Sequence, residues 1–408
     1  MTQQKNVRGA LAMATCSLLG GTAVQAADGD WQVDTALLFY SETDRVSAVE
    51  PVISATRDLG DEQALNLKLV LDGLTGPSAN GAQVENHAQT FTTPSGNQTY
   101  TVPAGEVPLD EEFHDTRGAV SVNWTTPLEN RLWKRTLGAN LSTEFDFFSL
   151  GVSGALARDF NKRNTTVTAG LGYEMDTIKP VGGTPIPFAS MTPAAGSKSA
   201  SDTEDRTVTD LLLGITQVVG RHTIMQFNYN MSMSSGYMND PYKVVSVNAA
   251  AGAPGTFVYE NRPDSRTKHS LYWETKHAFA SGDVLDASYR FMTDDWGVAS
   301  NTLDLRYRWM LPSDWYVEPH LRWYDQGEAD FYTDRLAVAP VAGDTTKQFS
   351  ADYRLGALTD TTFGARVGKR TSETGETWMS LESMTQSGDT AQADLSAVIL
   401  EFGYSRKF

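Results

Sequence analysis

The chain has a single cysteine, Cys16, among its 408 residues. That cysteine lies in an amino-terminal segment with Lys5 and Arg8, an apolar stretch over residues 10–19, and the small-x-small sequence ending at Ala26. These features are typical of a secretory signal peptide. We therefore predict a cleaved signal over residues 1–26 and a mature chain over 27–408 without a thiol. A chain without thiols has no disulfide, thiolate metal site or cysteine nucleophile.

The predicted mature chain also lacks a long hydrophobic run and an excess of positive charge. No stretch approaches the roughly 18 uncharged apolar residues that a transmembrane helix needs. In the full sequence, Lys and Arg number 33 against 50 Asp and Glu, for a net charge of -17. Such acidity disfavours nucleic acid as a partner.

What the chain does contain is a series of alternating segments of about ten residues, the length at which a tilted strand crosses a membrane. We count roughly sixteen of them, the number of an even-stranded barrel. In the last segment Leu400, Phe402, Tyr404 and the terminal Phe408 share one face of a strand. A soluble two-sheet sandwich also alternates, so periodicity alone leaves both classes open.

The connections distinguish the two classes. Turns of a few residues, near residues 60–62, 161–164, 220–221, 281–283 and 312–314, contrast with long loops at about 75–116, 180–203, 239–263 and 326–358. Short periplasmic turns and long external loops are typical of outer-membrane barrels. We predict one all-β domain, an antiparallel up-and-down transmembrane β-barrel of about 16 strands in the Gram-negative outer membrane, with both termini periplasmic. The first strand begins close to residue 27, so no plug domain is expected.

Alternation also predicts which side chains line the lumen. The candidates are Arg290, Arg306, Arg308, Glu318, His320, Arg322 and Arg366. A mostly acidic set is predicted on the opposite wall: Asp34, Glu50, Glu144, Asp146, Glu174, Asp176 and Asp210. Two hypotheses remain open, a transverse field across a pore or a salt-bridge lattice that partly fills the barrel.

No metal, cofactor or catalytic residue is predicted. The acidic run over residues 110–115 includes His114 but has no EF-hand or paired-histidine spacing, so we interpret it as a solvated loop. The chain has no G-x-S-x-G motif. His320 is the best-placed acid–base candidate, and we expect a structural role for it.

Two segments, residues 235–243 (SGYMNDPYK) and 259–266 (YENRPDSR), resemble the signature of an uncharacterised bacterial family, domain of unknown function 3570. Residues 74–82, 115–117, 318–324 and 329–332 agree with it. The resemblance covers essentially the whole mature chain and implies an outer-membrane barrel. It carries over no catalytic or binding residue. Families of this kind occur near genes for flavin-attaching and thioredoxin-like envelope proteins, which implies a redox context.

These observations give three hypotheses about function. The first is an unplugged channel for small polar solutes or ions. The second is a non-conducting barrel that docks or sheathes a periplasmic partner, redox-active in one version, and the third and most remote is an outer-membrane enzyme. The expected partners are outer-membrane lipid and the barrel-assembly machinery, for which Phe402, Tyr404 and Phe408 form the predicted assembly signal.

Overall fold

A computed structural model describes residues 30–93, 99–110, 114–191, 202–248, 256–372 and 374–408. The predicted signal peptide, its cleavage site and Cys16 lie outside the described residues, as do residues 111–113 of the acidic run. No helix in the described ranges is long and apolar enough to cross a membrane.

Sixteen antiparallel strands form a closed barrel in which each strand pairs with the next along the chain and the last pairs with the first. The strands are β1 (Trp31–Glu42), β2 (Ser47–Gly60), β3 (Gln63–Thr75), β4 (His114–Pro127), β5 (Trp133–Thr143), β6 (Phe147–Phe160), β7 (Thr165–Ile178), β8 (Glu204–Gly220), β9 (Thr223–Gly236), β10 (Ser265–Ala278), β11 (Val284–Asp294), β12 (Ala299–Met310), β13 (Trp315–Gln326), β14 (Leu358–Ser372), β15 (Gly375–Gly388) and β16 (Leu395–Lys407). The predicted all-β transmembrane barrel and its strand number are confirmed. All sixteen strands are longer than the predicted ten residues, from 11 residues for β5 and β11 to 17 residues for β8.

Alternation along each strand separates an apolar outer face from a polar inner face. At the closure Leu37 pairs with Phe402 and Phe39 with Leu400, so the apolar ladder of β16 continues on β1. Outer-face residues such as Leu171 and Phe363 are 60% and 64% exposed. Side chains this apolar and this exposed are stable only against lipid, because a contiguous apolar band on a soluble surface drives association.

The connections after even-numbered strands are all short, and the four long loops all follow odd-numbered strands. The β2–β3 turn is the tightest kind, because Asp61 and Glu62 both have positive φ, as a two-residue type I′ hairpin requires. The long loops join β3 to β4, β7 to β8, β9 to β10 and β13 to β14. They therefore meet at one mouth of the barrel, and β1 begins and β16 ends at the other.

The long loops pack together into a folded unit, here called the cap. In the cap, strand Val244–Val247 pairs with Thr256–Tyr259 and with Arg335–Leu336, so loops β9–β10 and β13–β14 share one sheet. The first loop forms two further small pairings, Ser78–Ala79 with Leu109–Asp110 and Gln89–Thr92 with Thr99–Val102. Sequence patterns left the conformation of these loops open. Short 3-10 helices lie at Asn161–Arg163 and Pro312–Asp314 in turns and at Tyr353–Leu355 in the cap.

The cap has its own hydrophobic core. Phe91, Val244 and Tyr259 belong to one buried cluster, with contributions from three of the loops. Gly81 (φ +97°) allows the β3–β4 loop to approach the β9–β10 loop closely, because a Cβ there would lie 2.5 Å from the Val244 carbonyl oxygen. Phe331 and Leu355 of the cap belong to another buried cluster, and Met292 on the inner face of β11 packs against it. The cap therefore covers the mouth and contacts the top of the lumen.

Candidate functional site

The seven residues predicted to line the lumen share the inner face of β11 to β14. Their strand register places them on the face opposite to the exposed Leu321, Trp323 and Phe363. Glu318 and His320 are buried, as is Tyr316 on the same face of β13. Side chains of this face also touch across an intervening strand, which requires the concave side of the barrel. Tyr316 of β13, for example, donates a hydrogen bond to Glu376 of β15.

Three of the candidates join an ion-pair network, here called the lattice, made by Arg308, Glu318, Arg366, Glu376 and Glu401. Arg308 Nε lies 2.6 Å from Glu318 Oε2 and Arg308 Nη1 lies 3.7 Å from Glu376 Oε2. Arg366 bridges Glu318 at 3.8 Å and Glu401 at 3.7 Å. The lattice connects β12 through β16 near the turn end of the barrel.

Two aromatic rings lie against the guanidinium groups of the lattice. The guanidinium carbon of Arg366 lies 3.7 Å from the centre of the Trp378 ring, and that of Arg308 lies 4.1 Å from the Tyr316 ring. Tyr316 can cross β14 only because residue 368 is glycine: a Cβ there would lie 2.2 Å from the tyrosine ring. The arginines of the lattice are thus held by both charge and stacking.

His320 is held between two carboxylates. Its Nδ1 lies 2.9 Å from Glu382 Oε1 and its Nε2 lies 3.0 Å from Asp304 Oδ2. Arg306 Nε also pairs with Asp304, at 3.3 Å. An acceptor at each ring nitrogen fits an imidazole that donates from both. Both ring nitrogens are therefore engaged by side chains of the wall.

The remaining two candidates, Arg290 and Arg322, form no ion pair with an acid in the described ranges. They lie on the inner faces of β11 and β13, with only β12 between them. The guanidinium of Arg290 lies 5.7 Å from the Tyr272 ring centre, and its buried Nε has no hydrogen-bond partner among the described residues. We call these two residues the arginine pair.

The predicted acidic wall is only partly a feature of the strands. Asp34, Glu50, Glu174, Asp176 and Asp210 lie on inner faces, but Glu144 and Asp146 lie in the β5–β6 turn, so their placement on a strand was wrong. The prediction extended the β5 alternation beyond Thr143, where the strand ends. Asp176 pairs with Arg206 at 2.7 Å. Acids are also interspersed on the basic wall as lattice members, so the two walls are not simply opposite in charge.

The wall formed by β5 to β7 is lined mainly by small side chains. Inner-face positions there include Gly138, Gly151, Ser153, Gly170 and Gly172. A Cβ at Gly170 or Gly172 would meet only adjacent wall atoms, at 3.4 Å or farther. The wall opposite the lattice therefore carries no large side chain at these positions.

A second charged site lies in the cap and was missed by sequence reasoning. Its six residues, here called the cap ion cluster, are Asp240, Lys243, Glu260, Arg262, Asp352 and Arg354. Arg262 lies 2.6 Å from Glu260 and 2.9 Å from Asp352, and Arg354 Nη2 lies 2.6 Å from Asp240 and 2.5 Å from Asp352. Lys243 donates to the carbonyl of Ala79 in the first loop.

Acids and bases are equal in number in this cluster, and most of it is buried. The side chains of Glu260, Arg262 and Asp352 are each at most 2% exposed. Burial alone would raise the pKa of Asp352, but Arg354 and Arg262 hold that pKa well below its usual range. Burial raises the pKa of Glu260 despite the neighbouring Arg262.

The two segments that resemble the family signature meet at this cluster. Residues 235–243 supply Asp240 and Lys243, and residues 259–266 supply Glu260 and Arg262. Charged residues inside those segments were the signal that could have identified the cluster. In the described part of the chain, no group of three or more His, Cys, Asp or Glu side chains is arranged to hold a metal ion.

The fold and its inner face define a transmembrane β-barrel with a charged lumen and a folded cap. The chain belongs to the family described as "Protein of unknown function (DUF3570)", whose profile matches residues 8–405. Curated proteins gave no match to it.

Several solved structures are similar in fold. CdiB from Acinetobacter baumannii has a TM-score of 0.47 and 6% identity; the match covers 94% of this chain, which spans 61% of the CdiB chain. The Pseudomonas putida toluene transporter TodX (TM-score 0.40, 10% identity) is matched over 93% of this chain and 90% of its own. Pseudomonas putida OprB (TM-score 0.41, 6% identity) is matched over 93% of both chains. No ligand or activity carries over at these identities.

Proposed function

We propose that the protein is a channel of the Gram-negative outer membrane for small polar solutes, with its external mouth covered by the cap. The observation that carries the proposal is the closed sixteen-strand barrel, whose inner face bears polar side chains and has several glycines on the wall of β5 to β7. Barrels of 16 to 18 strands are wide enough for an aqueous lumen. In this proposal the barrel conducts passively and catalyses no reaction.

The proposed path runs along the small-residue wall of β5 to β7. The lattice and the rings of Tyr316 and Trp378 occupy the opposite side. Gly170 and Gly172 place no side chain on the inner face of β7 at their two positions, so solutes would pass between the two walls at that depth.

The cap makes passage conditional. Gln326, on the inner face at the top of β13, donates to the carbonyls of Arg354 and Gly356 in the cap. Met292 packs against the cap from β11. Solutes therefore enter when part of the cap moves, or through gaps between the cap and the rim. The outer band would contact lipid, and the strand ending at Phe408 would serve recognition by the barrel-assembly machinery.

Conductance of the purified, refolded mature chain in planar bilayers tests the proposal. Gly170→Phe places a ring in the proposed path, and we expect it to lower the unit conductance. Leu171→Phe is the matched control, because the next residue points outward and is 60% exposed. Phenylalanine is favourable in strands, so both variants should fold.

Absence of conductance in the parent and in a variant with a weakened cap would refute the channel. That result would favour the docking hypothesis. Equal conductance of the two phenylalanine variants would refute the path along β7.

A further inference from the structure

We propose that the arginine pair, Arg290 and Arg322, is a binding site for a small oxyanion, a carboxylate or a phosphate, inside the lumen. This inference rests on the proposed function and specifies it, because it names a class of solute that the lumen would recognise.

The first observation is that the pair differs from most of the basic side chains around it. Five arginines and lysines on the inner face of β10 to β14 are paired with acids at 3.8 Å or less: Arg266 with Asp294, Lys276 with Glu274 and Asp286, Arg306 with Asp304, Arg308 with Glu318, and Arg366 with Glu318. Arg290 and Arg322 have no such acid in the described ranges. The same is true of Lys268 and Arg370, but Lys268 carries no guanidinium and Arg370 is exposed at the turn end of β14. Arg290 and Arg322 are therefore the unpaired guanidiniums of this wall that lie away from the turn end.

The second observation is that only β12 separates the two available charges. Arg290 pairs with Thr302 of β12, and Thr302 pairs with Tyr324 of β13, two residues from Arg322, so two like charges face the same part of the lumen. The Nε of Arg290 is buried and has no acceptor in the described part of the chain. An anion between the two side chains would offset the two like charges and accept from donors that are otherwise unsatisfied.

The third observation is the polar lining of the same place. On β12, which separates the two arginines, Thr302 pairs with Arg290 and Asp304 pairs with Arg322. The carboxylate of Asp304 is engaged by His320 and Arg306, so among the described residues Thr302 offers the free hydroxyl of this place. The ring of Tyr272 lies beside the Arg290 guanidinium at 5.7 Å and limits its orientation. Two guanidinium forks and a hydroxyl suit a ligand with several oxygens, since each fork binds two oxygens of a carboxylate or phosphate at once. A halide offers only one acceptor atom.

Titration calorimetry of the purified full chain in detergent tests the site without requiring conduction. Inorganic phosphate and acetate are titrated separately, which distinguishes the two oxyanions. We expect Arg290→Gln and Arg322→Gln each to weaken binding of the preferred anion about tenfold, the usual effect of losing a charge-assisted contact. Arg290→Lys keeps the charge but not the fork, so an intermediate loss is expected.

Arg370→Gln is the matched control. Arg370 lies on the same face of β14 but is exposed at the turn end, far along the strand from Asp360 and the cap. Its loss removes one inner-face charge and should leave anion affinity unchanged. Heat-modifiability on gels would show that each variant is folded.

Bilayer recordings separate this inference from the channel proposal. Addition of the bound anion to a chloride bath should lower the chloride current in the parent and not in the arginine variants. Binding without current in either the parent or a variant with a weakened cap would overturn the channel and leave the site intact. Current with no measurable anion binding, or binding equally weakened by Arg370→Gln, would overturn the site.

Discussion

Removing Arg262 from the cap ion cluster should open the cap while the barrel stays folded. Arg262 contacts both Glu260 and Asp352, and all three side chains are at most 2% exposed. In Arg262→Ala the two carboxylates stay buried without their shared guanidinium. Breaking a buried pair on one side costs about 3–5 kcal/mol. At about 1.4 kcal/mol per factor of ten, the population of open cap should rise by roughly two to three and a half powers of ten.

Protease sensitivity and hydrogen exchange of the cap measure this change. Segments near Lys347, whose carbonyl accepts from Asn261 in the closed cap, should become cleavable in Arg262→Ala. Amides of the inter-loop sheet at Val244–Val247 should lose protection. Strand amides of the barrel should exchange as in the parent, because the cap and barrel do not share those hydrogen bonds.

Arg335→Ala is the control, because it breaks an ion pair of the cap that is partly exposed to solvent. Arg335 pairs with Glu85 in the same cap at 2.6 Å, but the two side chains are 28% and 21% exposed. A pair with this much solvent contact contributes about 0–1 kcal/mol. Equal protease sensitivity in both variants, or no change in Arg262→Ala, would refute the view that the buried cluster holds the cap closed.

Three further outcomes are expected. The pKa of Asp352 is held below its unfolded value of about 3.9, so its contribution to cap stability is present above that pH and is lost only as the pH falls through the lower folded pKa. The cap should therefore resist an acid-active protease at about pH 4.5 as it does at neutral pH, and opening between the two would contradict this reasoning. Gly368→Leu should displace Tyr316, because even a Cβ would lie 2.2 Å from the ring. The overpacking should lower the free energy of unfolding by about 1–3 kcal/mol and with it the urea midpoint. An unchanged midpoint would show that the ring moves freely. Deleting Phe408 should lower the amount of protein assembled in the outer membrane much more than the activity of refolded protein, and normal membrane levels would refute its role as an assembly signal.

The barrel was predictable because its physical constraints are local. A strand between lipid and water must alternate at period two, as Leu67 and Lys68 do, and its register follows from turn length. The difference between short and long connections indicated which connections lie at which mouth of the barrel. The predicted acidic wall wrongly included Glu144 because the alternation continues in the sequence after β5 has ended at Thr143.

The partners of the lumen charges were not predictable, since they depend on the register of several strands at once. Arg366 lies on β14 yet bridges Glu318 on β13 and Glu401 on β16. Alternation gives the inward face of each strand but not the height at which a side chain meets its neighbour. For the same reason the sequence could not separate Arg290 and Arg322 from the paired arginines around them.

The cap was unpredictable for a different reason. Its core is built from isolated apolar residues, such as Phe91, Phe188 and Val245, in segments rich in glycine, proline and serine. Such residues have no periodic pattern of their own, and they become a core only when separate loops meet at the mouth. The closed barrel brings those loops together, so the cap depends on the global fold.

The cap ion cluster, the arginine pair and the lattice lie at successive depths between the mouth covered by the cap and the turn end of the barrel. On β11, Met292 contacts the cap, and Arg290 is the next inner-face residue below it. The lattice residues Arg308 and Glu318 lie nearer the turn end of β12 and β13. A solute entering from the external mouth would therefore meet the cap first, then the arginine pair and then the lattice. Because the arginine pair lies directly behind the cap, closure of the cap would limit how fast an anion reaches the pair without changing how tightly the pair holds it.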